Sequence, residues 1–347
     1  MVVLAALLLA LLAAALALCW NELRSLCSLE RLDDYGLYRM TYYGGYGFDE
    51  FLEAGAESDR EIEAFVTRRL LKGLPLDLNV TGGGCTAFAV RDGRGDVLFG
   101  RNFDFAYAPS LQLFTDPADG YASVSTVNLA FAGYAADRLP DDSLFGRFLT
   151  LAAPYLPFDG MNEAGLAVAL LAVPEAQPPH EAGRVTLNTT AAIRLMLDKA
   201  ATVDEALALL RQYNIYFSGG IPCHFLLADA GGRSVLAEYW GGALRTVEAE
   251  GAYQAASNFV AYDGLNLGEG YTEFQRYDAV CRAIEENGGT LDAAQAAALL
   301  AQVGVWDGDE DRLQWSVVYN LSTGGGTLFA HRRLENASAF WLEGMFP

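Results

Sequence analysis

The chain has 347 residues and a formal net charge of −21, and its sequence pI is near 4.4. Hydrophobic residues make up 52% of the chain and charged residues 19%, a composition that predicts a folded globular protein and excludes a largely disordered one. Because no run of Lys or Arg occurs, we expect neither nucleic acid nor an anionic membrane surface as a partner.

The N-terminal segment 1–18 is wholly apolar, and polar residues begin at Asn21. This pattern predicts a secretory signal peptide or a short membrane anchor. The small residues at 15–17, Ala-Leu-Ala, fit a signal cleavage site. We therefore expect an extracytoplasmic protein that is secreted or tethered to the membrane.

Cysteines occur at positions 19, 27, 85, 223 and 281. An odd number leaves at least one thiol unpaired even if all the others form disulfides. No His or Cys spacing typical of a zinc or iron site is present, and the chain has only 3 His. We therefore expect no metal and no other cofactor, and a free thiol becomes the candidate reactive group.

Residues 20–80 are polar and predict mainly helix. Ser58, with Glu61 three positions later, predicts the start of an amphipathic helix. The segment ends in three glycines, residues 82–84, immediately before Cys85. A glycine run bends easily and exposes its backbone, but by itself it predicts only a linker.

Two strand-like runs follow, joined by the sequence Asp-Gly-Arg-Gly at 92–95, which predicts a β-hairpin. With the turn centred on its second residue, the numbers of paired residues sum to about 186, so that Cys85 lies opposite a position from 100 to 102. Arg101 and Asp104 then return to the neighbourhood of Cys85.

The rest of the chain alternates strands and helices. Strands, mostly in hairpins, are predicted at 158–173, 224–242, 252–260 and 315–331. Helices are predicted twice between Thr189 and Tyr213, then from Thr272 to Gly288 and at 292–302. Since hairpins predominate among the strand connections, the pattern favours an α+β domain with helices layered on sheets over a doubly wound parallel fold.

Cys85 has neighbours suited to an activated nucleophile. The thiolate is the reacting form of a cysteine, and the charge of Arg101 would favour it. Asp104 could orient an amine or a guanidinium. The sequence places no His beside Cys85, so a conventional base is missing. Cleavage after Gly84 would free the α-amino group of Cys85, whose ordinary pKa of about 7.7–8.0 suits a general base.

With these residues the sequence resembles the choloylglycine hydrolase and penicillin V acylase group of N-terminal-nucleophile hydrolases. It is most similar to members with a propeptide, such as acid ceramidase-like and isopenicillin N acyltransferase-like enzymes, and the resemblance covers most of residues 35–330. The positions that match, in order and spacing, are Cys85, Arg101 and Asp104 in FGRNFDF, Asn162 in GMNEAGL, Asn258 in SNF, and Arg276 in QRYDAV.

Taken one at a time, three of these positions have ordinary structural interpretations. Asn162 fits a turn, Asn258 a strand-end cap, and Arg276 an exposed residue in the first turn of a helix. Their joint order and spacing carry the resemblance.

The resemblance implies a four-layer αββα sandwich of two antiparallel sheets flanked by helices. Residues 1–18 would be a signal peptide or anchor, 19–84 a propeptide, and 85–347 the catalytic domain. Cleavage between Gly84 and Cys85 would mature the enzyme. It would then hydrolyse a linear amide C–N bond of a small N-acyl amide with an apolar acyl group, through an acyl-thioester on Cys85.

The resemblance also implies roles for the other matching residues. Asn258, together with Asn162, would stabilise the oxyanion, Asp104 would position the α-amine, and Arg101 and Arg276 would tune the charge of the site.

Two alternatives share this scaffold: an N-acyltransferase, and a non-catalytic secreted binding protein that never matures. A thiol protease built on Cys223 and His224 is disfavoured because adjacent residues of a strand point to opposite faces. The sequence sets no oligomeric state.

Overall fold

The computed structural model describes most of the chain. The described residues are 17–342 apart from 79, 81, 266 and 268–271, together with the isolated residues 4 and 14. The predicted leader at 1–18 lies almost entirely outside them. Within them, no helix combines the length and the apolar character needed to span a bilayer.

Helices are distributed along the whole described chain. The α-helices are α1 (Trp20–Cys27), α2 (Phe48–Ala54), α3 (Asp59–Arg69), α4 (Leu144–Leu149), α5 (Thr189–Lys199), α6 (Val203–Leu210), α7 (Thr272–Glu286) and α8 (Ala293–Val303). Short 3₁₀ helices occur at Leu129–Ala132, Thr150–Tyr155, Ser218–Gly220, Tyr262–Gly264 and Leu334–Asn336.

Most strands belong to one of two sheets. In chain order they are β1 (Glu30–Arg31), β2 (Leu37–Tyr42), β3 (Gly84–Arg91), β4 (Val97–Asp104), β5 (Ser110–Thr115), β6 (Ser123–Asn128), β7 (Pro157–Asn162), β8 (Ala167–Ala172), β9 (Thr186–Asn188), β10 (Asn214–Tyr216), β11 (Cys223–Ala228), β12 (Ser234–Trp240), β13 (Ala243–Glu248), β14 (Tyr253–Ala256), β15 (Trp306–Asp307), β16 (Glu310–Asp311), β17 (Leu313–Asn320), β18 (Gly325–Ala330) and β19 (Ser338–Trp341).

Within the described residues the larger sheet has nine strands in the order β1-β2-β5-β6-β7-β8-β11-β12-β13, and the smaller has six in the order β14-β3-β4-β17-β18-β19. The smaller sheet is antiparallel throughout, and the larger is antiparallel except where β2 runs parallel to β5. Short hairpin connections account for most neighbouring pairs, as the turn sequences predicted.

The two sheets pack face to face, and helices cover their outer sides. Helices α7 and α8 cover the six-stranded sheet through a small apolar cluster that includes Phe88, Val280 and Leu300. Helices α5 and α6 pack on the nine-stranded sheet. The large core between and around the sheets holds most of the other buried apolar side chains. The predicted α+β sandwich of two sheets flanked by helices is confirmed.

The hairpin of β3 and β4 was predicted, but its register differs from the expectation. Cys85 pairs with Phe103, one position beyond the expected range. The cause is a longer turn, in which the N–H of Asp92 donates to the carbonyl of Asp96 over 2.8 Å. The Asp92 carboxylate closes this turn by accepting the N–H groups of Arg94 at 2.8 Å and Asp96 at 2.9 Å.

The segment before Gly84 is an integral part of the fold. It was predicted to be mainly helical, yet it also contributes β2, whose Tyr38 and Met40 are fully buried. Because β2 pairs with β5, the segment shares the core of the nine-stranded sheet. The cleavage point itself stays a prediction.

The packing of the β3–β4 hairpin can be tested at Gly100. It lies opposite Phe88, and a Cβ on Gly100 would come within 2.4 Å of the Phe88 ring. We expect Gly100→Ala to lower the free energy of unfolding by about 1–3 kcal/mol, because a packed ring must move. Urea denaturation of the purified protein measures this loss.

The matched control is Gly93→Ala in the turn of the same hairpin, where a Cβ would meet no atom within 4 Å. Its free energy of unfolding should stay within about 0.5 kcal/mol of the wild type. Equal losses in both variants would contradict the packing argument.

Candidate active site

Cys85 is the second residue of β3 and lies at one end of the six-stranded sheet. Alternation along the strand separates two faces. Phe88 and Val90 pack toward the helices, whereas Cys85 and Ala87 pack toward the nine-stranded sheet. The Cys85 side chain is 3% exposed. The thiol therefore faces the space between the sheets.

The backbone of Cys85 is held on both sides. Its N–H donates to Asn258 Oδ1 over 2.6 Å. Its carbonyl accepts Arg276 Nη1 at 2.9 Å and Ser257 Oγ at 3.1 Å. These contacts fix the peptide group on either side of the Cα, while the side chain stays clear of them.

Arg276 joins several parts of the site. Its guanidinium donates through Nη1 to Thr86 Oγ1 at 2.8 Å and through Nη2 to Asn258 Oδ1 at 2.8 Å. Nη1 also lies 3.4 Å from Asp104 Oδ2. The other Asp104 oxygen accepts the N–H of Val305 at 2.7 Å. Cys85, Asp104, Asn258 and Arg276, four of the six predicted residues, thus form one connected group.

Asn258 uses both ends of its amide. While Oδ1 accepts the N–H of Cys85, Nδ2 donates to the Ala172 carbonyl of β8 over 2.7 Å. The residue therefore bridges the two sheets at the thiol, a geometry that requires the loop after β14 to stay close to β8.

Burial is the main cause of the pKa shifts of Cys85 and Asp104. It raises the pKa of the Cys85 thiol, although Arg101, Arg276 and the N–H of Ala172 oppose it. It also raises the pKa of Asp104 to about 6, although Arg276 and the N–H of Val305 favour the carboxylate. In the uncut chain the thiol is therefore protonated near neutral pH.

Arg101 lies fully buried on the same face of its sheet as Cys85, two residues before Phe103. Its Nε is 3.0 Å from Asp159 Oδ2, and its Nη2 donates to the Leu170 carbonyl over 3.1 Å. The guanidinium also stacks near the rings of Phe103 and Trp315, with its carbon 5.1 Å and 5.3 Å from the ring centroids. Its charge acts on Cys85 from a fixed position.

Asn162 is not brought to this group. Its Nδ2 donates to the carbonyls of Leu197 at 2.9 Å and Ala200 at 2.7 Å, and its Oδ1 accepts the N–H of Leu166 at 3.0 Å. The side chain thus fixes the end of α5 at the far end of β7. The motif GMNEAGL forms the turn after this strand, and the asparagine serves that turn.

Two residues of the site were missed in the sequence. Asp159 neutralises Arg101 and also accepts Trp315 Nε1 at 2.9 Å and Tyr319 OH at 2.7 Å. Its only signal was a carboxylate inside an otherwise apolar strand. Ser257 precedes Asn258 and is fully buried. Its position next to Asn258 is the only feature of the sequence that points to the contact between its hydroxyl and Cys85.

A small pocket opens at Cys85. Most of its wall is apolar, formed by side chains such as Leu78, Val80, Phe131, Phe158, Leu170 and Ile221. Leu78 and Val80 belong to the segment before Gly84, so in the uncut chain that segment forms one side of the cavity. Asn188, Thr190 and Ser218 add a polar patch that is hydrogen-bonded within itself.

The described residues contain no group of three or more His, Cys, Asp or Glu side chains placed to hold a metal ion.

Comparisons with known proteins identify a family for this chain. The family model described as linear amide C–N hydrolases, choloylglycine hydrolase family, matches residues 85–279, more than half of the chain. The match begins at Cys85 itself. No curated protein matches the sequence significantly.

Solved structures share the fold at low sequence identity. A variant of the conjugated bile acid hydrolase from Clostridium perfringens aligns with a TM-score of 0.53 and 18% identity, covering 74% of this chain and 92% of the hydrolase. Penicillin V acylase from Agrobacterium tumefaciens aligns with a TM-score of 0.50 and 17% identity, covering 71% and 83%.

The family match covers more than half of the chain, and these structures share the sandwich. The chain therefore belongs to the choloylglycine hydrolase family of linear amide C–N hydrolases, enzymes of the N-terminal-nucleophile type.

Proposed function

We propose that the chain matures by cleavage between Gly84 and Cys85 and then hydrolyses N-acyl amides with an apolar acyl group through an acyl-thioester on Cys85. The observation that carries this proposal is the clamp on the Cys85 backbone. Its nitrogen is held 2.6 Å from Asn258 Oδ1, and Arg276 and Ser257 hold its carbonyl. Such a clamp would keep a new N-terminus in place after cleavage.

The α-amine is the base that the site otherwise lacks. The ring of His224 is hydrogen-bonded to Glu238 and Ser257. His331 stacks edge-on to Tyr35, and His180 is exposed. With the three His of the chain placed elsewhere, a free amine on Cys85 supplies a base next to the thiol, with an ordinary pKa of about 7.7–8.0.

The chemistry then follows in two steps. The Cys85 sulfur attacks the amide carbonyl, the α-amine takes the thiol proton, and the same proton passes to the leaving amine as the C–N bond breaks. Water next attacks the thioester, giving the carboxylic acid and the free thiol. The candidate donors to the oxyanion are the Asn258 amide, which is held at Ala172, and the N–H of Ala172, which interacts with the Cys85 thiol.

The charged side chains around Cys85 have two separate roles. Asp104 and Arg276 are in contact and hold each other on the helix side of β3, where they also fix the amine through Asn258. Arg101 stands on the other face, where its charge favours the thiolate.

The cavity sets the acyl preference. The mostly apolar wall of the pocket beside Cys85 suits an apolar acyl group. The two structural neighbours are named for conjugated bile acid and for penicillin V, which are both amides of largely apolar acids. Export of the protein through its apolar leader remains part of this proposal.

The mass of the purified protein tests maturation. We expect a fragment that begins at Cys85 in the wild type, and a chain uncut at Gly84 in Cys85→Ala, which lacks the nucleophile. Intact-mass measurement and N-terminal sequencing identify the cut, and a panel of N-acyl amides measures hydrolysis. An uncut chain that still hydrolyses amides would contradict the proposed mechanism, and an uncut, inactive chain with an unreactive thiol would identify a binding protein.

Asn258→Ala removes both the acceptor of the α-amine and the candidate oxyanion donor. We expect kcat to fall about 100- to 1,000-fold, the usual cost of losing one such donor. Steady-state kinetics of the mature protein measure this. Asn336→Ala, an exposed asparagine far from Cys85 in sequence, is the control, and a similar loss in both variants would remove the assigned role.

Because the pKa of Asp104 is raised, we expect pH to affect activity and stability in opposite directions. Its pKa in the folded protein is about 6, so kcat/KM should fall as the pH drops through 6 and the carboxylate is protonated. The folded pKa lies above the unfolded one, so the stabilising contribution of Asp104 is fully present below about pH 4 and is lost as the pH rises through 6. The full change is about 3 kcal/mol.

Asp104→Asn should remove both effects, which pH profiles of kcat/KM and of urea unfolding measure. Asp116→Asn, at an exposed carboxylate, should keep them. An acid limb near pH 6 that survives in Asp104→Asn belongs to another group and contradicts the assignment.

A further inference from the structure

A buried His–Glu pair lies behind the nucleophile, outside the groups assigned above. His224 of β11 and Glu238 of β12 are 1% and 2% exposed. His224 Nδ1 lies 2.7 Å from Glu238 Oε1, and Nε2 lies 3.1 Å from the carbonyl of Ser257. The Glu238 carboxylate also accepts the N–H groups of Ala261, at 3.1 Å, and Tyr262, at 2.8 Å.

Every polar atom of this pair has a partner. Each ring nitrogen of His224 faces an acceptor oxygen, one of Glu238 and one of Ser257. Burial alone would raise the pKa of Glu238, but the hydrogen bond and charge of His224 and the N–H groups of Ala261 and Tyr262 lower it. A buried pair with complete hydrogen bonding orders its surroundings, whereas loss of one partner leaves an uncompensated polar group.

The pair holds the segment 257–262 on the nine-stranded sheet. His224 binds the first residue of this segment, and Glu238 binds its end. The same segment carries Asn258 and Ser257, which clamp the nitrogen and the carbonyl of Cys85. Cys85 belongs to the other sheet. The position of the segment 257–262 relative to His224 and Glu238 therefore determines where its side chains meet the Cys85 backbone.

We propose that His224 and Glu238 are positioning residues for catalysis, which act on Cys85 through Ser257 and Asn258. The proposal rests on the function proposed above for Cys85. Catalytic groups must be held within about 0.5 Å of the productive geometry, and a shift of about 1 Å costs about 100-fold in rate. Loosening the pair should therefore lower kcat more than it raises KM, because the acyl cavity is formed mainly by other residues.

The experiment introduces His224→Gln and Glu238→Gln into the full chain and measures each variant after maturation. Each variant replaces the ring or the carboxylate with a neutral amide. We expect kcat to fall about 10- to 100-fold, while KM stays within about threefold of the wild-type value. The rate of Cys85 alkylation by iodoacetamide should fall together with kcat. Glu163→Gln is the matched control, since Glu163 also accepts a backbone N–H, that of Ala122 at 3.0 Å, and it should keep the wild-type kcat.

A double-mutant cycle separates positioning from general stabilisation. Ser257→Ala removes only a small hydroxyl. Combined with His224→Gln it should cost less in kcat than the two single effects added together, because His224 acts on Cys85 partly through Ser257. Additive losses, or an unchanged kcat in His224→Gln and Glu238→Gln with only a lower Tm, would overturn the proposal.

The outcomes also separate this proposal from the proposed function. A wild type that neither matures nor hydrolyses amides refutes the role of Cys85. An active wild type with fully active pair variants refutes only the positioning role. If Glu238→Gln fails to fold, His224→Gln and the cycle still decide.

Discussion

One guanidinium holds the site together. Arg276 of α7 contacts the Cys85 carbonyl, the Thr86 hydroxyl, the Asp104 carboxylate and the Asn258 amide oxygen. Three of these acceptors lie on β3 and β4, and the fourth lies on the loop after β14. The planar, multidonor group suits this task in a way that a lysine would not. The position of α7 on the six-stranded sheet is thereby coupled to the backbone of Cys85.

Charges at the site are compensated in separate pairs. Arg276 contacts Asp104 on the helix side of β3, and Arg101 contacts Asp159 between the sheets. Burying such charges is costly unless each is paired and hydrogen-bonded. The separation lets the two faces of one strand differ in electrostatics: one face fixes the backbone of Cys85, and the other surrounds its sulfur.

The sequence was sufficient for the elements whose pattern is local. The β3–β4 hairpin and helices α7 and α8 follow from turn residues, capping residues and periodicity. Register was harder, since the Asp92 carboxylate extends the turn by hydrogen bonds that composition does not reveal. Strand β2 was missed because its parallel partner β5 is distant in the chain, and pairing of that kind leaves no local signal.

The candidate site shows the same division. Cys85, Asp104, Asn258 and Arg276 meet as the motifs indicated, because motif order reflects the fold. Asn162 has the right residue type, but its side chain direction depends on the turn it stabilises. Asp159 and the His224–Glu238 pair emerge only from contacts between strands.

The place of β2 in the nine-stranded sheet has a consequence for a chain cut after Gly84. The N-terminal fragment would keep its strand pairing with β5 and its share of the core, so the mature protein would be a complex of two polypeptides. Its unfolding would release two molecules instead of one. By mass action its melting temperature would then rise with protein concentration, and refolding after dilution would be limited by a bimolecular encounter. Cleavage would thus change folding from a unimolecular reaction into a bimolecular one.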